Sequence, residues 1–433
     1  MRGNGYRHPP SMGGIFCSDG GGVTMSDKSW RRNTLLVHAG TPRVENIQPT
    51  ALPIFPSTSY QSESAERLDR LMAGEVPGFS YARHGNPNVE ALVDAMKELE
   101  EAQTGIATAS GMAAIDAALY ATGVRPGDTV LVSQDVYGAS LNLLGTIWAE
   151  SEIQVVVGDF TDLTRFESLL QKHKPTSILI ETLSNPLLKI LDVPRIAELA
   201  HTVEAQLIVD NTFTTPLIMQ PLTLGADIVV HSATKYLGGH GDAMGGIVVA
   251  REDYHDRLHQ YLKLRGAVLG PFEAWLIHRG LRTLGVRFEK QCQNAAIIAE
   301  ALRTSQIFER VFYPLFSDHP TYSVAQRLLA PALGGAVVTL DLGGSQATAF
   351  RFLNELQLVG SATTVGDIYT LCLYPVIASH RNQSPEERQT MGITDSMVRV
   401  SVGLEDPDDV ISDLIQAAKI ARRKDGSVVM QQD

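Results

Sequence analysis

Residues 227–242 read DIVVHSATKYLGGHGD, and the fold turns on how they are understood. An apolar, β-branched run ends in His231 and Ser232, then delivers Thr234, Lys235 and a glycine-rich loop, Gly238-Gly239-His240-Gly241-Asp242. Lysine is normally solvated, so one placed at the end of a buried strand asks for a reason. Glycines directly after it suit a backbone that must pass something closely. In open α/β sheets, ligands bind beyond the carboxyl ends of the strands, where this polar set falls.

Working outward, the same kind of run recurs: GIATAS at 105–110, TVLVS at 129–133, QVVVGD at 154–159, SILIE at 177–181, QLIVD at 206–210 and GIVVA at 246–250. Strands this continuously apolar are covered on both faces, and helical patterns separate them. The chain therefore reads as an α/β protein with a mostly parallel, seven-stranded sheet. After Trp275 the pattern changes to long helical stretches with fewer strands, AVVTLDL at 336–342 and VRVSVGL at 398–404. That predicts a smaller C-terminal α+β domain.

With 433 residues the chain exceeds the roughly 250–300 at which a single core stops growing, so two domains are expected. The expected division is a disordered leader at 1–34, an extended N-terminal arm at 35–87, a large domain at 88–285, a small domain at 286–425 and a tail at 426–433. The arm is punctuated by Pro and Ser, with one amphipathic stretch from Glu63 to Ala73. The first 24 residues lack the sustained apolar stretch of a secretory signal, and Met25 is an alternative start.

A net charge of −12 disfavours nucleic acid and anionic membranes as partners and leaves a small molecule as the natural one. Cys17, Cys292 and Cys372 are far apart and form no metal-ligand spacing. They point to a reducing, cytoplasmic setting and no structural metal.

The other strand ends are polar as well. After 105–110 come Ser110-Gly111-Met112 and a good helix sequence. Free amides at a helix start suit a phosphate, though a tight turn reads the same way. QLIVD ends in Asp210, either a turn residue or the partner of a protonated ring nitrogen. Hydroxyls at 232 and 234, on one side of an extended segment, would donate to a phosphate. A desolvated lysine beside them and near an acid is the set needed for a Schiff base with pyridoxal phosphate. Competing motifs fail: Met244 stands where a GxGxxG would need its last glycine, and neither a GxxxxGK[ST] nor a GxSxG occurs.

HSATKYLGGHGD, together with YARHGNPN, SGMAAI, VYGAS, VDNTFTTP and VRVSVGLED, resembles the Cys/Met-metabolism family of pyridoxal-phosphate enzymes over roughly residues 35–420. The resemblance implies the aspartate-aminotransferase-like fold (fold type I), with 88–285 as the cofactor domain. It implies Lys235 as the Schiff-base lysine, Asp210 on the pyridinium nitrogen, and Gly111, Met112, Ser232 and Thr234 around the phosphate. Tyr137 would cover the ring and serve in catalysis. Asn185 would reach the phenolic oxygen, although Leu183 replaces the family's usual proline. Arg399 would clamp the substrate carboxylate, with Thr364, Asn185 and Tyr81 also on the substrate. Tyr81 and Arg83 would reach the phosphate of a neighbouring subunit, so a homodimer with shared active sites, pairing into a homotetramer, is expected.

The implied activity is γ-replacement or γ-elimination on a homoserine-derived sulfur amino acid, of the cystathionine γ-synthase or γ-lyase type. Methionine γ-lyase and O-acylhomoserine sulfhydrylase are the alternatives, and a non-enzymatic descendant of the fold the remote one. Thr363-Thr364-Val365-Gly366-Asp367 lacks the Glu that many cystathionine enzymes carry there and resembles sulfhydrylases. Ala139 stands where methionine γ-lyases carry Cys, and Ala378-Ser379-His380 replaces a Met-Thr-His segment.

Overall fold

The computed structural model describes residues 31–40, 49–378, 381 and 383–423. The leader up to residue 30, with Cys17 and Met25, lies outside the described residues, as do Ser379, His380 and the tail at 426–433.

The larger sheet contains β1 (Thr104–Thr108), β2 (Thr129–Ser133), β3 (Gln154–Gly158), β4 (Ser177–Glu181), β5 (Gln206–Asp210), β6 (Ile228–Ser232) and β7 (Gly246–Ala250). Its order is β1-β7-β6-β5-β4-β2-β3. Strands β2 to β6 pair in parallel, and β7 runs antiparallel to both of its neighbours, β1 and β6. Alternate residues feed two cores: Val130, Leu179, Ile208 and Val230 face one, and Leu131, Ile180, Val209 and Val229 the other. Coverage on both faces explains the uninterrupted apolar runs, except in the edge strand β3, where Val157 is 53% exposed.

The smaller sheet holds β8 (Arg310–Phe312), β9 (Val337–Asp341), β10 (Gly360–Ser361), β11 (Leu371–Leu373) and β12 (Met397–Ser401), in the order β10-β11-β12-β9-β8. Leu302, Phe352 and Leu414, from the helices Leu284–Thr304, Gln346–Glu355 and Pro407–Arg423, close its core together with Val338, Leu340 and Val400.

In the arm, the amphipathic stretch forms the helix Ala65–Met72, whose N-cap Ser64 accepts from the Arg67 amide. A second helix, Arg32–His38, begins inside the range read as leader. Leu36 and Ala39 are buried in the larger core, and Arg32 donates to the Leu217 carbonyl and to Gln220. Among the described residues no helix is long and apolar enough to cross a membrane.

On the sheet face opposite Asp210 lies a buried polar network. His231 Nε2 and Glu100 Oε1 are 2.6 Å apart, and Asn211 Nδ2 donates to the same oxygen at 2.9 Å. Thr214 donates to Asn211 and shares a hydrogen bond with Thr182, whose amide donates to the Asp210 carbonyl. These contacts fix the carboxyl ends of β4, β5 and β6 relative to one another, and those ends carry the site.

Candidate active site

A cavity of about 270 Å³ opens at the carboxyl ends of β4, β5 and β6 and is closed on the other side by β12 and the loop before β11. Ten of the twelve residues singled out from sequence line it: Gly111, Met112, Tyr137, Asn185, Asp210, Ser232, Thr234, Lys235, Thr364 and Arg399. Tyr81 and Arg83 do not. Tyr81 is 45% exposed and bridges to Ser59, while Arg83 donates to the Lys263 carbonyl and lies 5.6 Å from the Tyr81 ring centre.

At one end of the cavity the helix Gly111–Thr122 begins. Ser110 caps it by accepting from the Ala113 amide at 3.2 Å, which leaves Gly111 and Met112 at the cavity wall. A Cβ on Gly111 would sit 2.8 Å from that of Ser232, so only glycine lets the helix start approach β6 this closely. Small residues at a helix N-terminus suit an anion here.

The segment after β6 corrects one expectation. Backbone extension stops at Ser232, and the Lys235 amide donates back to the Ser232 carbonyl at 3.1 Å, closing a turn. Both hydroxyls still reach the cavity, but Thr234 is also tied to Gly245, donating to its carbonyl and accepting from its amide.

The turn aims the Lys235 amine across the cavity, where it donates to Thr364 Oγ1 at 3.0 Å. Burial, with the charge of Arg399 adding, pushes the amine down to about 8. Arg399 is itself buried. Its guanidinium donates to Asn185 Oδ1 at 3.2 Å and to the Thr364 carbonyl at 2.9 Å, and Nε has no partner among the described residues. Burial lowers it to about 10, so it remains a cation at neutral pH.

Asp210, also on the cavity wall, accepts from the Thr212 amide and hydroxyl. Burial raises its pKa, while the Thr212 donors and the nearby His231 oppose the rise. Tyr137, 47% exposed, lines the cavity from the start of the helix Gly138–Leu143.

Sequence reading missed Glu181 and Thr212, both on the cavity wall. The available signal was positional: Glu181 ends SILIE as Asp210 ends QLIVD, and the strands pair there in register. Among residues read for substrate choice, Thr363 lines the cavity and Ala139 does not.

The donor set suits pyridoxal phosphate. The helix start at Gly111 and Met112, the Ser232 and Thr234 hydroxyls, an amine of lowered pKa and a part-buried carboxylate all line one cavity. On a mostly parallel sheet with a small α+β domain, these features define a fold type I pyridoxal-phosphate enzyme.

Comparison with known proteins agrees. The sequence profile described as Cys/Met metabolism PLP-dependent enzyme matches residues 33–419. An L-methionine gamma-lyase of Fusobacterium nucleatum subsp. nucleatum is 39% identical over 88% of this chain and 96% of its own length. An O-succinylhomoserine sulfhydrylase of Pseudomonas aeruginosa is 40% identical over 88% and 94%. The crystal structure of a cystathionine gamma synthase from Xanthomonas oryzae pv. oryzae superposes with a TM-score of 0.85 at 34% identity, covering 92% of this chain and all of that one. The chain belongs to the Cys/Met-metabolism family of PLP-dependent enzymes.

Proposed function

We propose that the chain catalyses γ-replacement or γ-elimination on a homoserine-derived sulfur amino acid, with cystathionine synthesis or cleavage as the leading reaction. The observation that carries this reading is the convergence of the Lys235 amine, the Asp210 carboxylate and the Arg399 guanidinium on one cavity. Pyridoxal phosphate, when bound, supplies an electron sink for charge developing on the substrate.

The chain's own groups do the rest. Gly111, Met112, Ser232 and Thr234 hold the phosphate, Asn185 the phenolic oxygen, and Asp210 the proton on the ring nitrogen. Arg399, a buried planar cation, takes the substrate carboxylate through paired N–H donors. Thr364, Asn185 and Tyr81 complete the substrate site. A lysine near pKa 8 is partly neutral at physiological pH, so Lys235 can remove the α-proton and return it at the neighbouring carbon. Tyr137 covers the ring and gives its proton to the group leaving the γ-carbon.

In this reading Tyr81 and Arg83, held away from the chain's own cavity, complete the phosphate site of a second copy. The working unit is then a homodimer, pairing into a homotetramer, in the cytoplasm. A second reading, O-acylhomoserine sulfhydrylase, is favoured by Thr363-Thr364-Val365-Gly366-Asp367, where Thr363 brings no carboxylate to the cavity.

A substrate panel decides between them: cystathionine, methionine, and O-acetyl- or O-succinylhomoserine with cysteine or sulfide. Cystathionine formation or cleavage supports the leading reading. Homocysteine from sulfide supports the second, and no turnover of any substrate by the yellow protein rejects both.

A further inference from the structure

Two carboxyl groups stand side by side in this cavity, and only one has a role so far. Glu181 ends β4 and Asp210 ends β5, opposite each other in parallel register on the same sheet face. Neighbouring strands are about 4.8 Å apart. Glu181 is 8% exposed, lines the cavity, and accepts the Tyr137 amide at 2.6 Å. A buried carboxyl beside a part-buried one on the neighbouring strand disfavours ionisation of both together.

Their surroundings are unequal. Asp210 has two donors from Thr212, and His231, on the other sheet face, also favours its ionised form. Glu181 has one backbone donor and sees like charges, Asp210 on β5 and Asp135 in the loop after β2. Asp135 is held by Lys189 at 3.1 Å. The cavity's two cations are engaged elsewhere, Lys235 on Thr364 and Arg399 on Asn185 and the Thr364 carbonyl. Burial, then the charge of Asp210, drives the Glu181 carboxyl far above the usual range.

We propose that Glu181 is a positioning residue held as the neutral acid: through the Tyr137 amide it fixes the tyrosine over the cavity, and by staying uncharged it leaves Asp210 as the single anion facing the cofactor. This rests on the reading of Asp210 as the partner of the ring nitrogen. Neutrality and acceptance separate cleanly, because glutamine copies the neutral acid and keeps a carbonyl for the Tyr137 amide, whereas alanine removes both.

The test titrates apo-protein with pyridoxal phosphate and records the infrared spectrum of the holoenzyme at neutral pH. Glu181→Gln is expected to bind the cofactor within about threefold of the parent, and Glu181→Ala roughly tenfold or more weakly, the scale of one lost buried hydrogen bond. A deuterium-sensitive carboxylic-acid band is expected in the parent and absent from Glu181→Gln. If Glu181→Gln binds as poorly as Glu181→Ala, if Glu181→Ala binds as the parent does, or if the parent lacks the acid band, the proposal is overturned. Should Glu181→Ala fail to fold by circular dichroism, the band and the glutamine titration decide alone. Asp210→Asn reports separately on the underlying reading: an unchanged visible band and affinity there would reject Asp210 as the ring partner, whatever Glu181 does.

Discussion

Lys235, at the end of the larger sheet, and Thr364, from the loop beside the smaller one, are joined side chain to side chain, Nζ donating to Oγ1 at 3.0 Å. The bond does not compensate the lysine for its burial, since the amine is still pushed from 10.5 down to about 8.

That depression fixes a sign. Below about pH 8 both folded and unfolded chains hold the proton and the folded apo-protein carries the whole cost of a buried ammonium. Between about 8 and 10.5 only the unfolded chain holds it, so stability rises through this window. At about 1.36 kcal/mol per pKa unit, the cost is on the order of 3 kcal/mol. Apo Lys235→Met is therefore expected to melt higher than apo parent at pH 7, with the gap narrowing toward pH 10. Thermal melts of both apo-proteins across that range check it, and a destabilised Lys235→Met at pH 7 would contradict it.

Arg399 offers a planar fork with Nε unpartnered among the described residues, a geometry that lysine cannot copy. Arg399→Lys is expected to raise KM about ten- to hundredfold, the worth of a charged hydrogen bond, with a smaller change in kcat. Steady-state kinetics on the substrate identified by the panel measure this. An unchanged KM would remove Arg399 from the carboxylate site.

Tyr81 and Arg83 lie off the chain's own cavity. If they serve a second copy, neither Arg83→Ala nor Lys235→Ala alone should be active, but co-refolded chains should regain about a quarter of parental activity through one intact site per mixed two-fold dimer. Absence of any regain in verified mixed dimers would show that the sites are not shared.

Far from the site, Asp413 accepts from the amides of Gln357, Leu358 and Val359 and from Gln416. Burial works against its ionisation, but these donors outweigh it and hold the carboxyl below its usual 3.8. Its stabilisation is complete above that value and lost as pH falls through the lower folded value. Asp413→Asn should thus melt below the parent at pH 7, and the difference should close under acid conditions. A gap independent of pH would show that the carboxylate's charge is not what the three amides require.

Strand ends were legible because burial on both faces leaves a plain signature. SILIE and QLIVD coincide with β4 and β5, and DIVVHS overruns β6 by a single residue. β8, β10 and β11 escaped notice because strands of two or three residues owe their form to pairing partners, not to their own pattern. The helix Arg32–His38 was hidden for a similar reason, since only Leu36 and the C-capping Ala39 are buried in the core, with Leu35 packed partly against it. Within the site, the lysine, the anion turn and Arg399 carried recognisable sequence. Glu181 did not, because its significance lies in standing beside Asp210, a relation that appears only when β4 and β5 are laid together.

The polar floor beneath β4, β5 and β6 also constrains how this site can be altered by descent or by design. Removing Glu100 would leave His231 Nε2 without its partner, and removing Thr214 would leave Asn211 Oδ1 without its donor, at about 1–3 kcal/mol for each orphaned group, whereas the partners of His231, Asn211 and Thr182 each keep a second bond. Order therefore matters: His231 can be replaced before Glu100, and Asn211 before Thr214, without stranding a neighbour, whereas the reverse order passes through an orphan. The cavity above can trade residues in any order to suit a new thiol or leaving group, whereas its foundation can change only in the order its hydrogen bonds allow.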